Sequence, residues 1–417
     1  MTTVRSHGRL QRVFQIVFVS VLAATACSSD DETVADPEPE VGAELESQSE
    51  LGADLDRLVA SFGPNLDPVL IDEIVARGDE SAAWVLVDLL RFQRIGTASA
   101  ALLSDGLTRL GVTLNPERPW KSATNDLLMR AVVAPPDYER LKTDLLTAVD
   151  ARWRPLLDVP HDLDFRWLAW GGVFIDDRPL GNNAACSGRG CIPALDFPGV
   201  TPADQGLWYS DDKIVFGVVI NGEARAYQQN IMQVHEMVND VVGGRRIAIP
   251  YCTLCGSAQG YFTYEVGGVA LAEAMVFRTS GLLSRSNKIM YELGSQSIFD
   301  TFTGRAVSGD LFTQDVTLTQ LTVQVATWGE WRGAHPETTI VAGDGGAGRV
   351  YPEDPLFGRD DNGPIFPIGE LDERLGVQDA VVGATAPDGT SVAFVVADVK
   401  QALEVGTTVT YGGLQVT

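Results

Sequence analysis

Only five cysteines and four histidines occur in the 417 residues. Any chemistry that needs soft or imidazole ligands must therefore come from a very short set of positions. Basic residues are scarce as well: 31 Lys and Arg stand against 56 Asp and Glu, a formal net charge of -25. A field of that sign repels phosphate backbones and argues against nucleic acid as a partner. The common catalytic signatures are missing too, with no Gly-x-Ser-x-Gly elbow, no Walker loop, no His-Glu-x-x-His and no Gly-x-Gly-x-x-Gly after a strand. Asp360-Asp361-Asn362-Gly363 lacks the spacing and the remaining ligands of a calcium loop and reads as an acidic surface turn.

What is present begins with an address. Arg5, Arg9 and Arg12 precede an apolar run from Val13 to Ala26, too short to span a bilayer and ending in small residues before Cys27. That order is a secretory signal over residues 1–26. Cys27 resembles the acylated cysteine of a bacterial lipobox, with Ala24 where Leu is usual; an ordinary cleaved signal is the plainer alternative. The expectation is a bacterial cell-envelope protein, lipid-anchored to a membrane through Cys27 and facing the extracytoplasmic side. Residues 27–53 are rich in Asp and Glu, hold Pro37 and Pro39 and contain no aromatic residue. They are expected to form a disordered tether, since they offer too little apolar surface to offset ordering entropy.

Setting Cys27 aside leaves two local pairs, Cys186/Cys191 and Cys252/Cys255. In an exported chain an even remainder favours disulfides. Cys186 and Cys191 lie in a glycine-containing loop without periodicity and read as a structural staple.

The fold class is α+β: an N-terminal all-α region, loosely HEAT-like, followed by a mostly antiparallel β-rich domain. From residue 54 to about 160 apolar residues recur at helical spacing, as in Leu70, Ile71, Ile74 and Val75, with Pro64, Gly78, Gly106, Gly111 and Pro119 as stops. From 161 to 417 short β-branched runs alternate with turn residues. Ile214 to Ile220 and Glu223 to Tyr227 flank Asn221-Gly222, a hairpin signal. Further strands are expected at Arg246–Tyr251, Gly260–Val266, Ala272–Arg278, Lys288–Leu293 and Arg305–Gly309. A helix is expected over Ile231–Val242, with His235, Glu236 and Asn239 together on one side. A partial internal repeat from about residue 375 echoes the Val215–Tyr227 hairpin, with convergent hairpin grammar as the simpler explanation.

Several motifs fall in a recognisable order: Cys191-Ile192-Pro193-Ala194-Leu195-Asp196, Val215 to Tyr227, His235-Glu236-Met237-Val238-Asn239-Asp240, Tyr251-Cys252-Thr253-Leu254-Cys255-Gly256, Ser280-Gly281-Leu282-Leu283, Lys288-Ile289-Met290-Tyr291 and Thr327-Trp328-Gly329-Glu330-Trp331-Arg332. Together they resemble the bacterial domain of unknown function numbered 3179, closely from Ile192 to Val341 and through the tail to Thr417. The resemblance implies no established reaction. The family's pattern usually has Pro where this chain has Thr253, and Ser-Leu-Trp-Ser-Gln where it has Ser297-Ile298-Phe299-Asp300-Thr301.

Cys252 and Cys255 carry the chemistry. Followed by Gly256 and a strand-like stretch rather than a helix, they fit a metal knuckle better than a thioredoxin-type site, which needs a helix N-terminus. His235 is a candidate third ligand for a thiophilic ion, copper or zinc. Glu236 and Asp240 are candidate partners orienting the imidazole. Three readings stay open: a metal-binding envelope lipoprotein, a thiol-disulfide oxidoreductase acting on exported partners, and an interaction module whose cysteine pairs are inert.

Overall fold

The computed structural model describes residues 41–186, 190–266, 269–358, 363–376, 379–385 and 390–416. The signal segment, Cys27 and the Asp360-Asp361-Asn362 turn lie outside them. Among the described residues, no helix is long and apolar enough to cross a membrane.

The first helix spans Val41–Ala60, so helix begins inside the stretch expected as a tether. Its apolar face explains this, because Leu51, Leu55 and Leu58 are buried against the other helices. Helices Pro68–Ala76, Ala83–Arg91, Ala98–Arg109, Pro119–Met129 and Tyr138–Val149 follow. Asp67 caps the second by accepting the Val69 N–H at 2.9 Å, while Gly78 leaves it with a φ of 70°. Gly106, expected as a stop, lies inside a helix. A Cβ there would stand 3.2 Å from Val75 Cγ2, so its bare backbone lets two helices approach.

The helical core does not end at the sheet. Leu282, Ile289, Tyr291 and Ile298 join the same buried cluster as Trp84 and Leu103, and Trp153 Nε1 donates to Ser280 O at 2.8 Å. These contacts come from a four-stranded sheet of Leu168–Trp170, Phe277–Ser284, Asn287–Glu292 and Ile298–Asp300. The strand expected to begin at Ala272 starts at Phe277, because Met275 N–H turns aside to Thr263 O. It then runs through Ser280-Gly281 as a bulge. Gly281 has a φ of 75°, and a Cβ there would stand 2.5 Å from Val173 O. Arg305–Gly309 forms isolated bridges rather than a strand, and Gly309 opens the short helix Gly309–Thr313.

The second sheet is built on Met237–Val242, Arg245–Cys252 and Gly260–Val266, all antiparallel neighbours. The helix expected over Ile231–Val242 is therefore corrected: it spans Gln229–His235 only. Glu236 takes the left-handed conformation, φ 52°, and the β-branched run after it becomes a strand. Asn239 faces Asp196 and the Phe277 backbone instead of sharing a helix side with His235. Arg278 clamps Asp196 with two bonds of 2.9 and 2.7 Å, both side chains fully buried.

The third sheet holds the expected hairpin, Ile214–Ile220 with Glu223–Gln228, closed by Asn221 and Gly222 at φ 50° and 85°. A second tight turn, Gly243-Gly244, abuts it, and Asn221 Nδ2 donates to Gly243 O at 2.8 Å. Near the end of the chain the same order of elements recurs. Strands Val381–Thr385 and Ser391–Val395, helix Val396–Glu404 and the hairpin Val409–Tyr411/Leu414–Val416 surround their own small core of Val392 and Phe394.

Candidate functional site: a dithiol turn over a buried lysine

The sequence Cys252-Thr253-Leu254-Cys255-Gly256-Ser257 closes a hairpin, with Cys252 paired to Ser257 and Tyr251 to Ala258. Cys255 N–H returns to Cys252 O at 3.3 Å, and Gly256 supplies a φ of 60°. A strand follows, as the sequence indicated, so no helix dipole acts on these sulfurs. Cys252 and Cys255 are both thiols, with Sγ atoms 2.9 Å apart. Cys252 is 4% exposed, whereas Cys255 reaches solvent.

The surroundings of Cys252 favour its thiolate. The hydrogen bond between the two sulfurs holds the Cys252 thiol below its ordinary value against the opposing effect of burial, and the main-chain amides of Lys288 and Cys255 add to the lowering. Beneath the turn, burial pushes the Lys288 ammonium down to about 8, opposed by the charges of Glu236 and Cys252. Lys288 Nζ donates to Glu236 O and lies 3.7 Å from Glu236 Oε2, while Thr253 Oγ1 donates to Glu236 Oε1 at 2.8 Å. On the outer side Cys255 Sγ donates to Asn287 Oδ1 at 3.6 Å, and Asn287 Nδ2 donates to Thr301 Oγ1 at 3.0 Å.

Glu236 thus supports the dithiol turn through Thr253 and Lys288. His235 is held elsewhere. Its Nδ1 donates to Pro193 O at 2.6 Å, which fixes the tautomer, so Nε2 accepts from Tyr351 Oη at 2.7 Å. Burial pushes the ring down to about 4, keeping it neutral. Asp240 instead receives Arg225 and Tyr227 at 2.7 and 2.8 Å. Among the described residues, no third His, Cys, Asp or Glu ligand atom joins the two sulfurs within 4.8 Å. The one such grouping is Asp176 with Cys186 and Cys191, and those two sulfurs form a disulfide with a Cα separation of 5.7 Å.

Asn287 and Tyr351 lie in no motif, and Thr253 and Lys288 lie in motifs that gave them no role at the site. Lys288 offered one clue, a lysine in a strand whose six residues are all buried. A charged side chain in such a run needs a buried partner.

The family model described as "Protein of unknown function (DUF3179)" matches residues 189–417, more than half of the chain. The chain belongs to this family. The match takes in both thiols, Lys288, Glu236 and the terminal strand-helix-strand unit. No curated protein and no solved structure matches.

Proposed function

We propose that Cys252 and Cys255 form a dithiol/disulfide couple that exchanges with disulfides of other exported molecules. The observation that carries this reading is the 2.9 Å separation of the two sulfurs in a closed turn. Two thiolates on a tetrahedral zinc, each about 2.3 Å from the ion, stand about 3.8 Å apart. The sulfurs are drawn closer than that, one is exposed, and the lone pair of His235 is engaged by Tyr351. The main-chain amides of Lys288 and Cys255 around Cys252 favour ionisation of one sulfur of the pair, which disulfide exchange requires.

The second reading is a thiophilic ion, copper or zinc, on the same two sulfurs. It is favoured by the knuckle-like turn with Gly256 at φ 60°. Reduced intact protein, treated with one equivalent of oxidised glutathione and analysed for thiols and metal together, separates the two. Exchange predicts loss of both thiols and formation of the Cys252–Cys255 disulfide with no stoichiometric ion. An ion-binding site predicts retained copper or zinc and protected thiols.

Export and lipid attachment at Cys27 belong to the same proposal, supported by the signal-like first residues and by the Cys186–Cys191 disulfide, a bond that persists in oxidising compartments. Cys27→Ser should release the protein from the membrane fraction. A variant that stays membrane-bound through detergent-free washing overturns the anchor.

A further inference from the structure

We infer that Cys255, the second cysteine of the pair, is the thiol that meets the incoming disulfide, and that Cys252 resolves the mixed disulfide. This rests on the exchange reading above and assigns its order.

Access decides the order. Exchange needs three sulfurs nearly in line, so the attacking sulfur must be reachable by a sulfur of the partner. Cys252 sits at the end of the central strand Arg245–Cys252, 4% exposed and bonded to the main chain of the Lys288 strand. No partner disulfide reaches it along that line without opening the sheet. Cys255 lies three residues further, on the outer limb of the turn, beside the exposed Gly256, where nothing stands within 4 Å of a Cβ position. Asn287 acts as a positioning residue, since its Oδ1 accepts from Cys255 Sγ at 3.6 Å. In sites where the pair opens a helix, the first cysteine is the one placed for attack; the hairpin turn reverses this.

The steps balance. With one of the two sulfurs ionised, the proton of the other passes across the 2.9 Å between them. As Cys255 Sγ attacks a partner disulfide, Cys252 takes that proton, a Cys255–partner disulfide forms, and the first partner thiolate leaves. The proton then passes to that thiolate. Cys252 Sγ attacks Cys255 Sγ, the Cys252–Cys255 disulfide forms, and the second partner sulfur departs as thiolate. The partner disulfide is reduced by two electrons and the pair is oxidised by two.

The test uses the intact chain, reduced and freed of reductant, with oxidised glutathione as probe and peptide mapping as readout. Cys252→Ser should accumulate a lasting glutathione adduct on Cys255. Cys255→Ser should react roughly tenfold or more slowly, because access limits the buried thiol. Unfolding that variant in urea should restore its rate. Alanine variants repeat the comparison where serine disturbs the turn. Equal or faster capture at Cys252 in the folded Cys255→Ser protein overturns the order while leaving exchange intact. So does wild-type oxidation with no adduct in Cys252→Ser. A wild-type protein that never oxidises overturns the exchange reading and this proposal together.

Discussion

Lys288 Nζ stands 3.7 Å from Glu236 Oε2 and also donates to the Glu236 main-chain carbonyl, with both residues almost out of water. Removing one partner of such a pair leaves a buried charge uncompensated. Lys288→Met is expected to cost about 3 kcal/mol of stability. Adding Glu236→Gln should recover most of it, because the neutral amide still accepts from Thr253. Urea unfolding of the single and double variants checks this, and a double variant no more stable than the single one contradicts it.

His235 supplies the pH dependence. Burial lowers the ring to about 4 from an ordinary 6.5, so between those values the unfolded chain binds a proton that the folded chain refuses. Its contribution is complete above 6.5 and is lost as pH falls toward 4. The loss amounts to about 3 kcal/mol at most. His235→Phe should flatten the stability curve over that window, and an unchanged slope in denaturant titrations would place the acid sensitivity elsewhere.

The Cys186–Cys191 bridge closes a loop of sequence separation 5. Replacing both cysteines with alanine should lower stability by about 2 kcal/mol, the entropy of so short a closure. The thiol chemistry of Cys252 and Cys255 should be unaffected. A double-alanine protein that loses glutathione reactivity would show that the first pair takes part in the exchange.

Local grammar told much of the fold. Asn221-Gly222 announced its hairpin because two successive positive φ angles leave few other choices, and Gly260–Val266 forms the strand expected of it. The Ile231–Val242 segment misled because its apolar spacing suits either a helix or a strand pair. What decides is Glu236, whose left-handed turn is stabilised by Tyr251 N–H and Lys288 reaching its carbonyl from distant strands. Gly106 misled in the same way, since the close helix approach that uses it is tertiary.

The site was half legible. Cys252 and Cys255 stand out by spacing, and the strand-like stretch after them argued against a helix-borne dithiol. His235 drew attention as a scarce residue type, yet its partners Pro193 and Tyr351 lie 42 and 116 residues away. Lys288 reaches Glu236 across 52 residues, a relationship set by sheet packing rather than by any local pattern.

The central claim is that Cys252 and Cys255 cycle as a couple, and its most direct measure is their reduction potential in glutathione buffers, read by thiol trapping on the intact protein. A thiolate stabilised at Cys252 favours the reduced form and so raises the potential. One two-electron transition is expected above roughly -230 mV, with no bound metal. A pair that stays reduced across the whole range while holding stoichiometric zinc or copper would contradict it. A disulfide that resists reduction below roughly -300 mV, as structural bridges do, would contradict it equally.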